Sequence, residues 1–200
     1  MLFLRLFKNS RVAGTAGIFL LGLALFLPSI LSGEPVHEHS GMPFYQLIFG
    51  SIHQYPILNR ILALALYLLA SYMLIRISAR YMLLDFRSFM PAFFVLLFSA
   101  ALPESRQISP DLMGSLFYLF AFAILFNTPD KRKDTIEIFN AGLFLALGFM
   151  FSARIIWFLP LVWIALATLR NTTWREMLYP VAAFLLTLLL LFTWYWGVLG

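Results

Sequence analysis

The feature that most constrains this chain is a series of apolar runs, some of them long enough to cross a lipid bilayer. One crossing by an α-helix needs about 20 apolar residues, with a range of about 17–25, and residues 12–31 form such a run. The run 177–198 also meets this length, whereas the runs 61–75, 89–102 and 112–126 are short for a bilayer. Only 12% of the 200 residues are charged, against about 25% in a soluble domain. The sequence therefore predicts an all-α, polytopic membrane protein with one transmembrane domain over residues 1–200.

The long apolar stretch 136–169 needs a different interpretation. As one α-helix it would reach about 51 Å, too long for a single crossing, and Arg154 lies near its middle. An unpaired charge at that depth in lipid is costly. We therefore expect two short spans, 136–153 and 155–169, with Arg154 at an outer hairpin turn. The total becomes about seven spans.

The distribution of basic residues tests this count. With seven spans, the segments on the side of the N-terminus hold Arg and Lys at positions 5, 8, 11, 76, 80, 87, 131, 132, 133, 170 and 175, and the other side holds Arg60, Arg106 and Arg154. Cytoplasmic loops are enriched in Lys and Arg. The pattern predicts a cytoplasmic N-terminus, in the inner membrane if the source is bacterial. It also explains the net charge of +5 without nucleic acid as a partner.

The first outer segment, residues 32–60, contains a candidate interfacial helix. Between Pro43 and Pro56, apolar residues recur at three- and four-residue steps, which is typical of one helix face; they are Phe44, Ile48, Ile52 and Tyr55. We expect a short amphipathic helix on the outer leaflet. An ordinary loop with some apolar residues is the alternative.

The predicted outer face also collects carboxylates and histidines. Glu34 and Glu38 lie in the first outer segment, and Glu104 and Asp111 lie in the second. Carboxylates from two loops can bind a hard divalent cation, and a carboxylate can act as a general base on an acceptor hydroxyl. The simpler alternatives are a solvated loop for the glutamates of the first segment, a surface ion pair with Arg106 for Glu104, and a helix start at Ser109-Pro110 for Asp111.

Two further patterns concern ligands. His37-Glu38-His39 could form a metal clip, although residues two apart share a side only in an extended strand. Arg154 could bind a lipid phosphate through paired donors or extend to the headgroups as an ordinary interfacial arginine. No cysteine is present, so thiolate chemistry is excluded.

The layout resembles the N-terminal half of the GT-C glycosyltransferases, polytopic enzymes that take sugars from polyprenyl-phosphate carriers. The likeness lies in the basic start, the acidic first outer loop with its interfacial helix, Ser109-Pro110-Asp111, and the Ala141-Gly142-Leu143 and Ala146-Leu147-Gly148 run followed by Arg154. It also resembles an uncharacterised family of bacterial polytopic membrane proteins.

The resemblance implies roles for particular residues. Glu34 or Glu38 would be the catalytic base, Glu104 and Asp111 would contact the acceptor or a metal, and Arg154 would contact the carrier phosphate. A divalent ion, Mg²⁺ or Mn²⁺, would be the cofactor, with Glu38, Asp111, His37 and His39 as its candidate ligands. Such a chain could be the N-terminal part of a longer bundle. The alternative function is a non-catalytic subunit that packs against other membrane proteins in a larger assembly.

Overall fold

The computed structural model describes residues 11–32, 42–80, 89–126, 134–169 and 174–199. Within these ranges 93% of the residues are helical and none forms a strand, which confirms the predicted all-α class. The eight α-helices of the described residues are α1 (Arg11–Ser32), α2 (Pro43–Phe49), α3 (Pro56–Arg80), α4 (Met90–Ala101), α5 (Pro110–Phe126), α6 (Asp134–Phe151), α7 (Leu159–Leu169) and α8 (Tyr179–Leu199). Short 3₁₀ helices cover Gly50–Gln54, Pro103–Arg106, Ala153–Phe158 and Glu176–Leu178.

Three helical stretches of the described chain are long and apolar enough to cross a membrane: Gly14–Ser32, Pro56–Ala79 and Glu176–Thr193. They correspond to the first, second and last predicted spans. The other predicted spans form apolar helices of 10–17 residues, and the count of about seven stays a prediction. The second span begins at Pro56, five residues before the predicted start, because proline is well suited to the first position of a helix.

Contacts between Cα atoms divide the chain into two compact units. The first comprises Met1–Ser40 and Tyr45–Leu112, and the second comprises Gly41–Phe44 and Met113–Gly200. In the first unit, α1, α3 and α4 bury Ile18, Ala92 and Leu96 in one cluster and Phe26, Leu64 and Ala100 in another. Gly22 lets α1 approach α3, since a Cβ there would lie 3.0 Å from a methyl carbon of Leu68.

In the second unit the chain reverses between α6 and α7. The helix α6 ends at Phe151, and Ser152 has an extended backbone with φ −142° and ψ 120°. Leu145 and Leu166 belong to one buried cluster, although 21 residues of continuous helix would separate them by about 31 Å. The prediction that residues 136–169 do not form a single rod is therefore confirmed, and the first helix ends two residues before the predicted boundary.

Close contact between helices of the second unit depends on glycine. A Cβ at Gly142 of α6 would lie 2.5 Å from the Cα of Pro180 and 2.6 Å from its carbonyl oxygen. Small residues allow helix backbones to approach in this way in membrane proteins. The Ala-Gly-Leu run noted in the sequence therefore has a packing role at the contact of α6 with α8.

Candidate functional site

The structure describes part of the predicted site. Glu34, Glu38, His37 and His39 lie outside the described residues, so their predicted roles stay predictions. Glu104, Asp111 and Arg154 are described, and all three have exposed side chains. Glu104 and Asp111 belong to the first compact unit and Arg154 to the second.

The second outer segment, residues 102–111, is tied to the helices on either side of it. Its 3₁₀ helix Pro103–Arg106 follows α4 after Leu102, whose backbone is extended. The Arg106 Nε donates a 2.8 Å hydrogen bond to the carbonyl oxygen of Ala100. A cation that donates to the last carbonyls of a helix also interacts favourably with the helix dipole. Arg106 thus caps α4 and fixes the start of the segment.

The segment ends where α5 starts, as the sequence predicts from Ser109-Pro110. The Leu112 backbone N–H donates to the Ser109 Oγ at 3.2 Å, so Ser109 is the N-cap, and Pro110 and Asp111 are the first residues of α5. A carboxylate in the first turn complements the helix dipole. The interpretation of Asp111 as part of a helix start therefore fits the geometry, and its side chain is exposed.

The middle of the segment is held by buried hydrogen bonds to the first outer segment. Tyr45 and Ile108 are fully buried, and the Tyr45 hydroxyl donates to the Ile108 carbonyl oxygen at 2.8 Å. The Ile108 N–H donates to the Asn59 Oδ1 at 2.7 Å, and Asn59 is also fully buried. Both backbone polar groups of Ile108 are thereby satisfied by side chains.

His53 completes this arrangement. Its Nδ1 lies 3.2 Å from the Asn59 Nδ2, and its Nε2 lies 3.4 Å from the Tyr45 hydroxyl. Together, the side chains of Tyr45, His53 and Asn59 and the backbone of Ile108 form a closed circuit of four hydrogen bonds, which we call the four-bond ring. Burial raises the pKa of Tyr45 from 10.0 to about 12, so its hydroxyl stays a donor even at moderately alkaline pH.

A buried arginine secures the first unit at the same end of α3. Arg60 is 5% exposed, and its Nη1 donates to the Ser29 carbonyl oxygen and, at 3.2 Å, to the Ser32 Oγ. Both acceptors lie in the last turn of α1. Arg60 therefore acts as a C-terminal cap for α1, a role that its position in the sequence does not indicate.

Arg154 lies in the 3₁₀ helix Ala153–Phe158, directly after the break at Ser152. Residues three apart in a 3₁₀ helix project in the same direction, so Arg154 and Trp157 share a side. Trp157 is 80% exposed. Tryptophan is enriched at membrane–water interfaces, and the sequence predicts that the turn with Arg154 lies at the outer one.

No pattern in the sequence indicated a structural role for Tyr45, His53 or Asn59. Tyr45 lies beside the predicted apolar face of the interfacial helix, on which Ile48 and Tyr55 are 43% and 63% exposed. The sequence offers one general indication of such roles: a polar residue next to a long apolar run needs a hydrogen-bond partner if it is buried.

The described residues give little support for a metal site. No group of three or more His, Asp or Glu side chains in this part of the chain is close enough to hold a metal ion. Of the candidate ligands, Asp111 alone is described, and its carboxylate is the type of donor that Mg²⁺ prefers. The predicted metal site stays a prediction for the first outer segment together with Asp111.

Comparison with known proteins gives no family for this chain. No protein-family model matches it, and neither a curated protein nor a solved structure is significantly similar to it.

Proposed function

We propose that this chain is a GT-C-like glycosyltransferase of the bacterial inner membrane, or a relative with the same fold that binds a polyprenyl-phosphate-linked substrate on the outer face. In this proposal the chain crosses the membrane about seven times, and its N-terminus is cytoplasmic. The main support is the second outer segment. Glu104 and Asp111 are exposed near the two ends of a segment that Tyr45 and Asn59 hold at Ile108.

The chemistry assigned to the residues is acceptor activation and leaving-group stabilisation. Glu34 or Glu38 takes the proton of an acceptor hydroxyl, whose oxygen then bonds to the anomeric carbon as the bond from that carbon to the carrier phosphate breaks. Arg154 binds the phosphate through paired N–H donors, and Glu104 and Asp111 contact the acceptor. A bound Mg²⁺ or Mn²⁺ would neutralise charge on the phosphate.

Alanine at the two predicted bases tests the proposal. Transfer is measured with the purified protein in lipid nanodiscs, a polyprenyl-phosphate-linked radiolabelled sugar and a panel of acceptors. Loss of a general base typically costs about 10²–10⁴-fold in rate, so we expect the double variant Glu34→Ala/Glu38→Ala to lose transfer.

Glu176→Ala is the matched control, because Glu176 lies in the 3₁₀ helix before α8, on the predicted cytoplasmic side. It should transfer at the rate of the unaltered protein. Unchanged transfer in the double variant would remove the enzyme role from the first outer segment.

One observation favours the alternative function, a non-catalytic subunit of a larger membrane assembly. The helix α8 exposes large apolar side chains at steps of four, three and four residues, a spacing that forms one helix face; they are Leu185, Leu189, Phe192 and Trp196. A subunit would use such a face against another helix. Cross-linking from Leu189→Cys in native membranes should then capture a second polypeptide, and Ala183→Cys, on the buried side of α8, should not.

A further inference from the structure

The four-bond ring fixes the tautomer of neutral His53. The Asn59 amide must turn its Oδ1 toward the Ile108 N–H, because only the oxygen can accept that hydrogen bond. Its Nδ2, a donor, then faces the His53 Nδ1 at 3.2 Å. That nitrogen must carry a lone pair, so the single proton of the neutral ring lies on Nε2, which faces the Tyr45 hydroxyl oxygen. The Tyr45 hydroxyl proton remains for the Ile108 carbonyl.

We propose that His53 is a positioning residue for the second outer segment: neutral His53 closes the four-bond ring and holds the segment at Ile108, and protonation of His53 opens the ring. The described groups that face the imidazole are Tyr45 of α2 and Asn59 of α3. The charged neighbour of Asn59, Arg60, is directed to the last turn of α1. The inference is independent of the transferase proposal, because it concerns the conformation of the segment and requires no substrate.

Protonation cannot be accommodated within the ring. The imidazolium has an N–H on both nitrogens, and its Nδ1–H would meet the amino group of Asn59. If the Asn59 amide rotates to offer its oxygen to His53, the amino group then meets the Ile108 N–H. In either case a buried donor loses its acceptor, which is unfavourable.

The effect reaches the candidate site through the backbone. Ile108 immediately precedes Ser109, whose Oγ caps α5, and Asp111 follows in the first turn. Release of Ile108 therefore loosens the cap and the position of the Asp111 carboxylate. Arg106 still binds α4, so the opening should be confined to the part of the segment after it.

Hydrogen–deuterium exchange of the whole protein in nanodiscs tests the proposal. Exchange of peptides that contain the Ile108 amide is followed at about pH 7.5 and about pH 5. Rates are divided by the intrinsic rate at each pH. The loss of one net hydrogen bond corresponds to a roughly five- to tenfold faster corrected exchange at the acidic pH. Equal corrected rates in the unaltered protein would overturn the proposal.

Two variants separate a specific role of His53 from a general effect of acid. In His53→Gln the amide oxygen can accept from Asn59 and the amino group can donate to Tyr45, so the ring should stay closed at both pH values. In Asn59→Asp the carboxylate can accept from both Ile108 and a protonated His53, so exchange at about pH 5 should be no faster than at neutral pH. Gln54→His, at an exposed neighbouring position, is the matched control and should behave like the unaltered protein. Acid-accelerated exchange that persists in His53→Gln would contradict the role of His53.

Discussion

Asn59 is a polar side chain at the start of a helix that is apolar enough to cross a membrane, and it is fully buried. Such a residue is costly unless its donors and acceptors are used. Its oxygen binds the Ile108 N–H and its nitrogen faces His53. Asn59 therefore connects the start of α3 to Ile108, 49 positions away, and to His53 in the preceding 3₁₀ helix, 6 positions away.

Replacing Asn59 with leucine should destabilise the first unit. The side chain keeps a similar volume, but the buried Ile108 N–H loses its acceptor, which costs about 1–3 kcal/mol. Unfolding in a series of mixed micelles with increasing SDS measures the change in free energy. Gln46→Leu, at an exposed position of α2, is the control and should change stability by less than about 0.5 kcal/mol. Equal stability of the two variants would contradict the burial argument.

The Tyr45 hydroxyl gives a prediction for alkaline pH. Its pKa is about 12 in the folded protein against the ordinary 10.0, because burial favours the neutral phenol. The unfolded chain therefore loses this proton first as the pH rises. The contribution of Tyr45 to the free energy of unfolding is complete below about pH 10 and falls between about pH 10 and about pH 12.

Tyr45→Phe should lower stability at neutral pH by about 1–3 kcal/mol, since the Ile108 carbonyl is left without this donor. It should also remove the part of the alkaline decline that Tyr45 causes. Unfolding is followed by circular dichroism in detergent as a function of pH. Tyr55→Phe, whose tyrosine is 63% exposed, should reproduce the profile of the unaltered protein, and an identical profile in Tyr45→Phe would count against the hydrogen bond.

At the scale of helices, the second unit depends on the contact of α6 with α8. The backbone of Pro180 occupies the space in which a Cβ of residue 142 would lie, and the Phe149 and Phe184 rings pack edge to face at 5.2 Å in the same pair of helices. Any side chain at position 142 must push α8 away and loosen the aromatic contact.

Gly142→Ala should therefore destabilise the protein even though alanine is the better helix former. Overpacking costs about 1–3 kcal/mol, which exceeds the roughly 1 kcal/mol gained from helix propensity. Thermal unfolding in detergent measures the difference. Gly197→Ala, in α8 with nothing within 4 Å of the added carbon, should be neutral or stabilising; a stabilised Gly142→Ala would refute the close contact.

The sequence was sufficient for features that depend on local patterns. Apolar run lengths predicted the helical class, the excessive length of 136–169 predicted a break near Arg154, and Ser109-Pro110 predicted a helix start. It was not sufficient for contacts between distant segments. Tyr45 and Ile108 are 63 positions apart, and Arg60 and Ser29 are 31 apart; no local pattern indicates which buried polar groups will satisfy one another.

At the scale of the whole molecule, the account depends on the side of the membrane that each polar segment faces. The predicted outer segments hold three of the 14 basic residues, and the candidate site needs all of its residues on that side. The exposed Glu104 and Arg154 lie in different compact units. Whether they face the same side of the membrane is therefore decided by the path of the chain through the lipid between them.

Cysteine labelling of intact cells tests this claim most directly, because the chain contains no cysteine and single substitutions report without interference. We expect a membrane-impermeant maleimide to label Ser105→Cys and Ala153→Cys from outside. Thr172→Cys, between α7 and α8, should be labelled only after the membrane is permeabilised. Labelling of Ala153→Cys only after permeabilisation, together with external labelling of Ser105→Cys, would put Arg154 on the opposite side from Glu104 and contradict the proposed site.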